Sequence, residues 1–277
     1  SGKTLTINSD ISSDTGDRSL IMHQGFTGTL VLSGTHNTAN NGINANQLRN
    51  GTIQFSNDSN LGDNSLAFGY NSGQDGTLEY VGTGGSVDNN VQIGSFGTNT
   101  DRLGGGSILN NGTGNLVFSD GTFNSAQVGT VARTLKLGGS FGDANEISGI
   151  IIDNAGTVAI TKEGTNTWNL NGNNTYTGAT TVSAGLLRLN GTNTSDITVA
   201  DGASFGGGGS TTGSLTFAPG NTTFEFDATA GAFNVGNVLT TTGSTVTVNV
   251  TGTTSGAVTI LDYTGGSYVG SASAADF

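Results

Sequence analysis

The stretch Gly28 to Gly34, GTLVLSG, places a small residue before an apolar, any, apolar triplet and closes on a turn residue. The same unit returns as GTIQFSN from Gly51, GTLEYVG from Gly76, GNLVFSD from Gly114, RTLKLGG from Arg133 and GTVAITK from Gly156. It continues as GLLRLNG from Gly185, GSLTFAP from Gly213 and GAVTILD from Gly256. Alternate positions of a strand share one face, so Leu30 with Leu32, Leu78 with Tyr80, Leu116 with Phe118 and Leu135 with Leu137 each form one apolar face. The opposite face carries Thr, Glu, Lys or Gln.

Between these units lie Asx-Gly dipeptides: Asn41-Gly42, Asn50-Gly51, Asp75-Gly76, Asn111-Gly112, Asp120-Gly121, Asn171-Gly172, Asn190-Gly191 and Asp201-Gly202. Such pairs tolerate positive φ and predict sharp turns. Short strands with Gly-rich turns suit either a hairpin sandwich or a solenoid. The units are mostly spaced by twenty to forty residues, with further apolar pairs between them (Val91 with Ile93, Ile197 with Val199), which favours several strands per coil. The expected fold is all-β: a right-handed parallel β-helix forming a single rod over 1–277, about ten coils and roughly 50 Å long at ~4.8 Å per coil. Its C-terminal part, 221–277, reads as less regular.

Composition agrees. The chain of 277 residues has 48 Gly, one Pro, 33% hydrophobic and 10% charged residues, a poor mixture for helices and a thin supply for a compact globular core. A formal net charge of -12 repels phosphate backbones and anionic bilayers, so neither nucleic acid nor membrane insertion is expected. No apolar run approaches the ~20 residues of a spanning helix, and no segment has the girdled strands of a translocating barrel. The absence of Cys suits an oxidising compartment. The only Met is Met22, so a leader is expected to have been removed.

From Lys162 to Leu189 the sequence is KEGTNTWNLNGNNTYTGATTVSAGLLRL. It resembles the autotransporter-associated β-strand repeat of passenger domains on Gram-negative bacteria. Lys162, Gly164, Gly172, Asn174, Thr175, Tyr176, Thr177, Gly178, Thr180, Val182, Gly185 and Leu187 occupy the positions of that motif, with Trp168 and Leu170 in its alternating strand. Trp168 replaces a smaller aliphatic, and the chain has one full copy. A weaker likeness extends over residues 60 to 220. The resemblance implies a β-helix displayed on or released from the cell surface, and no catalytic residues.

Other chemistry has little to work with. Asp143, Glu146, Asp153 and Glu163 lie near Lys136 and Lys162 in sequence, as a polysaccharide-degrading β-helix enzyme would need, but are expected in solvated turns and on outward faces. His23 and His36 are the only histidines and exclude a multi-His metal site. Asp10, Asp14 and Asp17 could offer oxygens to calcium, although their spacing matches neither an EF-hand nor a nonapeptide repeat. The runs Gly104 to Gly106 and Gly206 to Ser210 lack the Lys and helix of a phosphate loop and read as flexible turns. Outward positions Thr29, Thr77 and Thr134 are interrupted by Glu79, Lys136 and Arg188, which argues against a regular ice-binding face. Tyr70, Tyr80, Tyr176, Tyr263, Tyr268 and Trp168 could stack on a glycan, but most fall in the alternating pattern, where inward packing is expected. Both ends read as strands, KTLTINS and GAVTILDYTGGSYVG, so the chain is expected to associate with itself end to end. The expected function is that of a non-enzymatic stalk or fibre subunit, with an adhesin binding surface glycans as the alternative.

Overall fold

In a computed structural model of the chain, the apolar residue at the centre of each unit stacks on its equivalent in the next. Leu5 pairs with Leu30, Leu30 with Ile53, Ile53 with Leu78, Leu78 with Ile108 and Ile108 with Leu137, all in parallel register. The structure describes residues 2–12, 20–37, 46–62, 65–71, 73–94, 104–125, 129–252, 258–263 and 267–269.

The stack builds one twelve-stranded parallel sheet, from Thr4–Ile7 to Ser267–Val269. Eight strands from Thr83–Val87 to Ser244–Thr251 form a second face. A third face is divided between six strands ending at Ile150–Ile152 and four beginning at Thr192–Asn193. Most coils therefore make three short strands and three corners, the cross-section of a parallel β-helix, and strand twist makes such crossovers right-handed. Twelve strands correct the ten coils expected from the sequence. Eleven steps of ~4.8 Å give a stack about 53 Å long.

The core is one continuous cluster of inward side chains from all three faces. Phe55, Tyr80, Phe118, Phe123, Trp168, Phe205, Phe217 and Phe224 are all buried, and adjacent rings meet at tilted or edge-on angles, as Phe118 on Phe123 at 5.3 Å and Phe205 on Phe233 at 5.1 Å.

Asparagine has a role that its turn propensity does not reveal. Buried asparagines at the corners tie one coil to another: the Nδ2 of Asn60, Asn89 and Asn166 donate to the carbonyls of Gly34 (2.9 Å), Gly62 (2.7 Å) and Gly138 (2.7 Å). Asn145 links three coils, its Oδ1 accepting from the Leu116 amide (3.0 Å) and its Nδ2 donating to the Thr167 carbonyl (3.1 Å). These bonds replace the water that a buried corner lacks.

Glycine also departs from expectation. Gly51, Gly121 and Gly202 have the positive φ foreseen for Asx-Gly turns, but Gly76, Gly112, Gly172 and Gly191 do not. At one corner Gly149, Gly172, Gly191 and Gly209 stand in a column. A Cβ on each would lie 2.1 to 2.3 Å from the carbonyl oxygen of the glycine one coil earlier. Close approach between coils, not turn geometry, demands glycine there. The runs at 104–106 and 206–209 are likewise packed, correcting the flexible turns expected: a Cβ on Gly105 would sit 2.4 Å from the Thr134 carbonyl oxygen, and one on Gly206 2.2 Å from that of Glu225.

Candidate functional site

The residues of the 162–189 motif are brought together, and each is engaged in holding its coil to its neighbours. Lys162 pairs with Leu137 on one side and Val182 on the other. It thus occupies an aliphatic column of the core. Its Nζ donates to the carbonyls of Glu163 (2.7 Å), Gly164 (3.1 Å) and Ala184 (3.1 Å). Burial pushes its pKa down to about 8, opposed by the Glu163 carboxylate. Gly164 and Gly185 turn the chain around this ammonium with φ of 70° and 64°.

Trp168 lies between Asn145 and Leu187, is fully buried, and donates from Nε1 to the Gly138 carbonyl at 3.2 Å. Leu170 stacks between Ile147 and Leu189. Asn174 accepts from the Ile151 amide (2.9 Å) and donates to the Gly172 carbonyl (2.9 Å), while the amide of Thr175 bonds the Ile151 carbonyl at 2.9 Å. The Asp153 carboxylate receives both the amide (3.1 Å) and the hydroxyl (2.6 Å) of Thr177, and its other oxygen accepts from the Val158 amide at 2.8 Å. Gly178 has the Val158 carbonyl oxygen 2.3 Å from where its Cβ would be.

Tyr176 opens a buried hydroxyl chain: its Oη meets Thr180 Oγ1 at 2.7 Å, Thr180 Oγ1 meets Ser195 Oγ at 2.7 Å, and Asn193 Nδ2 donates to Ser195 Oγ at 2.9 Å. Burial raises the Tyr176 pKa, against the pull of its hydrogen-bonding neighbours. The phenol stays neutral at physiological pH and serves as a structural strut. Val182 completes the column above Lys162.

The carboxylates weighed for acid-base chemistry do not converge. Asp153 clamps Thr177, Asp143 accepts from the Ala144 amide at 3.2 Å, Glu146 accepts from the Ser148 hydroxyl, and Lys136 pairs with Asp75 at 3.5 Å. Among the described residues no three of His, Cys, Asp and Glu gather as metal ligands. Asp10 accepts from the Thr35 amide at 2.8 Å. Asp14 and Asp17 lie outside the described residues, as does the side chain of His36. His23 accepts from the Gly25 amide at 3.3 Å.

Sequence reasoning missed one outer feature because it needs the register. Thr4, Thr29, Thr52, Thr77, Ser107, Lys136, Thr161, Thr181, Thr198, Thr216, Thr240 and Val269 form one column along the twelve-stranded sheet. Thr134, which holds the place of Thr29 and Thr77 in the repeat unit, stands two residues aside beside Ala159. Nine threonines thus share that column, interrupted by Ser107, Lys136 and Val269, while its neighbour carries Val31, Gln54 and Glu79.

With this geometry in view, comparison with known proteins is informative. The family described as Passenger-associated-transport-repeat matches residues 160–189. The chain is similar to the adhesin BmaC autotransporter of Brucella suis biovar 1 (strain 1330), at 37% identity over 136 residues. That alignment covers 47% of this chain and 4% of the adhesin, so the chain spans a small part of the relative's length. No solved structure matches the chain. Residues 160–189 thus match a passenger-associated transport repeat, on a chain folded as a parallel β-helix.

Proposed function

We propose that this β-helix is a section of the extracellular passenger of a Gram-negative autotransporter adhesin, a non-enzymatic stalk that carries adhesive surface outward from the cell. One observation carries the reading: the buried polar side chains of the motif, Lys162, Asn174, Tyr176 and Thr180, are taken up by hydrogen bonds within and between coils, and the carboxylates weighed for catalysis do not converge. Similarity to a named adhesin autotransporter supports the same reading. The test is protease treatment of intact cells making the natural protein. Cleavage within this section without lysis is expected; protection until the cells are broken would overturn it.

End-to-end self-association is a second reading, favoured by the first coil. Leu5 is 58% and Ile21 49% exposed, and a cleft of about 330 Å³ opens there between Leu5, Leu20, Met22, Phe26 and Leu30. An apolar strand edge of this kind is a template for another β-coil, whether a further coil of a longer chain or a second molecule. Sedimentation of the purified chain tests it: concentration-dependent growth of the particle supports the reading, and a monomer at all concentrations removes it.

A further inference from the structure

On the eight-stranded face, one outward column runs Glu146, Asn169, Arg188, Gly206, Glu225, Asn249. The rung at Gly206 carries no side chain, and none can be added. A Cβ on Gly206 would fall 2.2 Å from the Glu225 carbonyl oxygen, one on Gly207 2.2 Å from that of Leu189, and one on Gly208 2.8 Å from that of Ala230. The missing rung leaves a slot of about 360 Å³. Its floor is glycine backbone, and the strands bearing its walls are two coil spacings apart, about 9.6 Å.

Arg188 and Asn190 stand on one wall, Glu225 and Asp227 on the other. The walls form no direct ion pair; the one found among the described residues is Lys136 with Asp75, although Arg188, after the hydrogen bonds of Thr229, helps hold the Asp227 carboxyl below its ordinary range. Glu225 accepts from Asn249 at 2.8 Å and Asp227 from the Thr229 hydroxyl at 2.6 Å, so both carboxylates are held in place by neighbours. Phe226, behind this wall, is buried and offers no ring to the slot.

We propose that this slot binds a neutral, hydroxyl-rich sugar unit, with hydroxyls donating to Glu225 and Asp227 and accepting from Arg188. A hydroxyl both donates and accepts, so a polyol can satisfy the two unlike walls at once. An anion meets two carboxylates, a cation meets the guanidinium, and an apolar ligand finds no apolar wall. The volume lies at the lower end of small-molecule sites, enough for a single sugar ring. This assignment deepens the adhesive reading given above and rests on it for its biological setting, but sugar binding is measured in solution and does not depend on display.

Saturation-transfer NMR on the purified chain tests it, with the methyl glycosides of glucose, galactose and mannose, N-acetylglucosamine, glucuronate and free glycine as probes. Transfer to at least one neutral glycoside is expected, weakened about tenfold by R188A and by E225Q/D227N, each removing charged hydrogen bonds. T216K, on the threonine column of another face, should leave it unchanged. Circular dichroism identical to the parent shows that the variants are folded. No transfer to any neutral sugar, binding of glucuronate or glycine alone, or binding indifferent to both slot variants would overturn the assignment. Loss of surface display with sugar binding intact would remove the setting and leave the slot standing.

Discussion

The strand Thr4–Ile7 reads TLTI and the strand Thr29–Leu32 reads TLVL, and the two pair residue for residue. Yet Leu5 is 58% exposed where Leu30 is 6% exposed. Nothing in either tetrapeptide accounts for the difference. In a stack, a side chain is buried by the coil on each side of it, so burial is a property of position along the rod. The motif coils are the opposite extreme. From Thr180 to Ile197 the chain advances only 17 residues per coil, against 30 from Leu78 to Ile108, and Trp168, Tyr176, Lys162 and Thr180 are hidden almost completely.

The comparison can be broken most severely at its buried end. Trp168→Ala should cost about 3 to 5 kcal/mol in denaturant unfolding, the range for a large core truncation, whereas Leu5→Ala should cost under about 1 kcal/mol. Equal losses would refute the contrast between the middle and the end of the stack.

Lys162 gives the next effect. Its folded pKa of about 8 lies below the ordinary lysine value of 10.5, so between those values the unfolded chain binds more protons and stability rises with pH. The penalty is fully present below pH 8 and fades as the unfolded lysine also deprotonates, a change of up to about 3 kcal/mol over that interval. Measured between pH 7.5 and 9.5, below the titration of tyrosine, the slope should vanish in K162M. An unchanged slope in K162M would assign it to another group.

Glycine substitutions sharpen the comparison further. Gly191→Ala sets a methyl against the Gly172 carbonyl oxygen and should cost about 1 to 3 kcal/mol by overpacking. Gly142 has open space around it and no positive φ, so Gly142→Ala should be neutral or stabilise by about 0.4 to 1 kcal/mol. The smallest effect belongs to Lys136→Ala, which breaks a half-exposed ion pair at a cost of about 0 to 1 kcal/mol. Chelation with EDTA should leave the melting temperature unchanged, since the Asp10 carboxylate serves the Thr35 amide.

Much of the fold could be read from the sequence. The alternation of Leu116 with Phe118 or Leu135 with Leu137 sets inside and outside within a strand by local geometry, and the motif carried Trp168 into the core. What stayed hidden depends on which residue lies above which. The burial of Lys162 could not be read from the chain because charge is rarely buried without partners, and its three carbonyl partners come from a corner only the stacked coils create. Gly172 and Gly191 looked like turn residues because their constraint is a carbonyl one coil away. The threonine column was missed because the unit at Arg133 is shifted by two positions, next to a register irregularity between Gly129 and Arg133. The glycine slot was missed because Gly206 to Gly209 has no side chains to catch the eye, and its walls come from coils about twenty residues apart on either side.

Register is therefore the central claim, and the chain is well suited to testing it because it has no native cysteine. Thr181 and Thr198 are paired across adjacent coils, at about 4.8 Å. Thr181 and Asp196 are offset by two residues, and at roughly 8 Å lie beyond the reach of a disulfide. Oxidation of the purified double variants T181C/T198C and T181C/D196C, read by thiol titration and mass spectrometry, should close the first pair rapidly and leave the second open. Closure of the offset pair, or of neither, would contradict the stacked register on which the repeat, the core and the slot all depend.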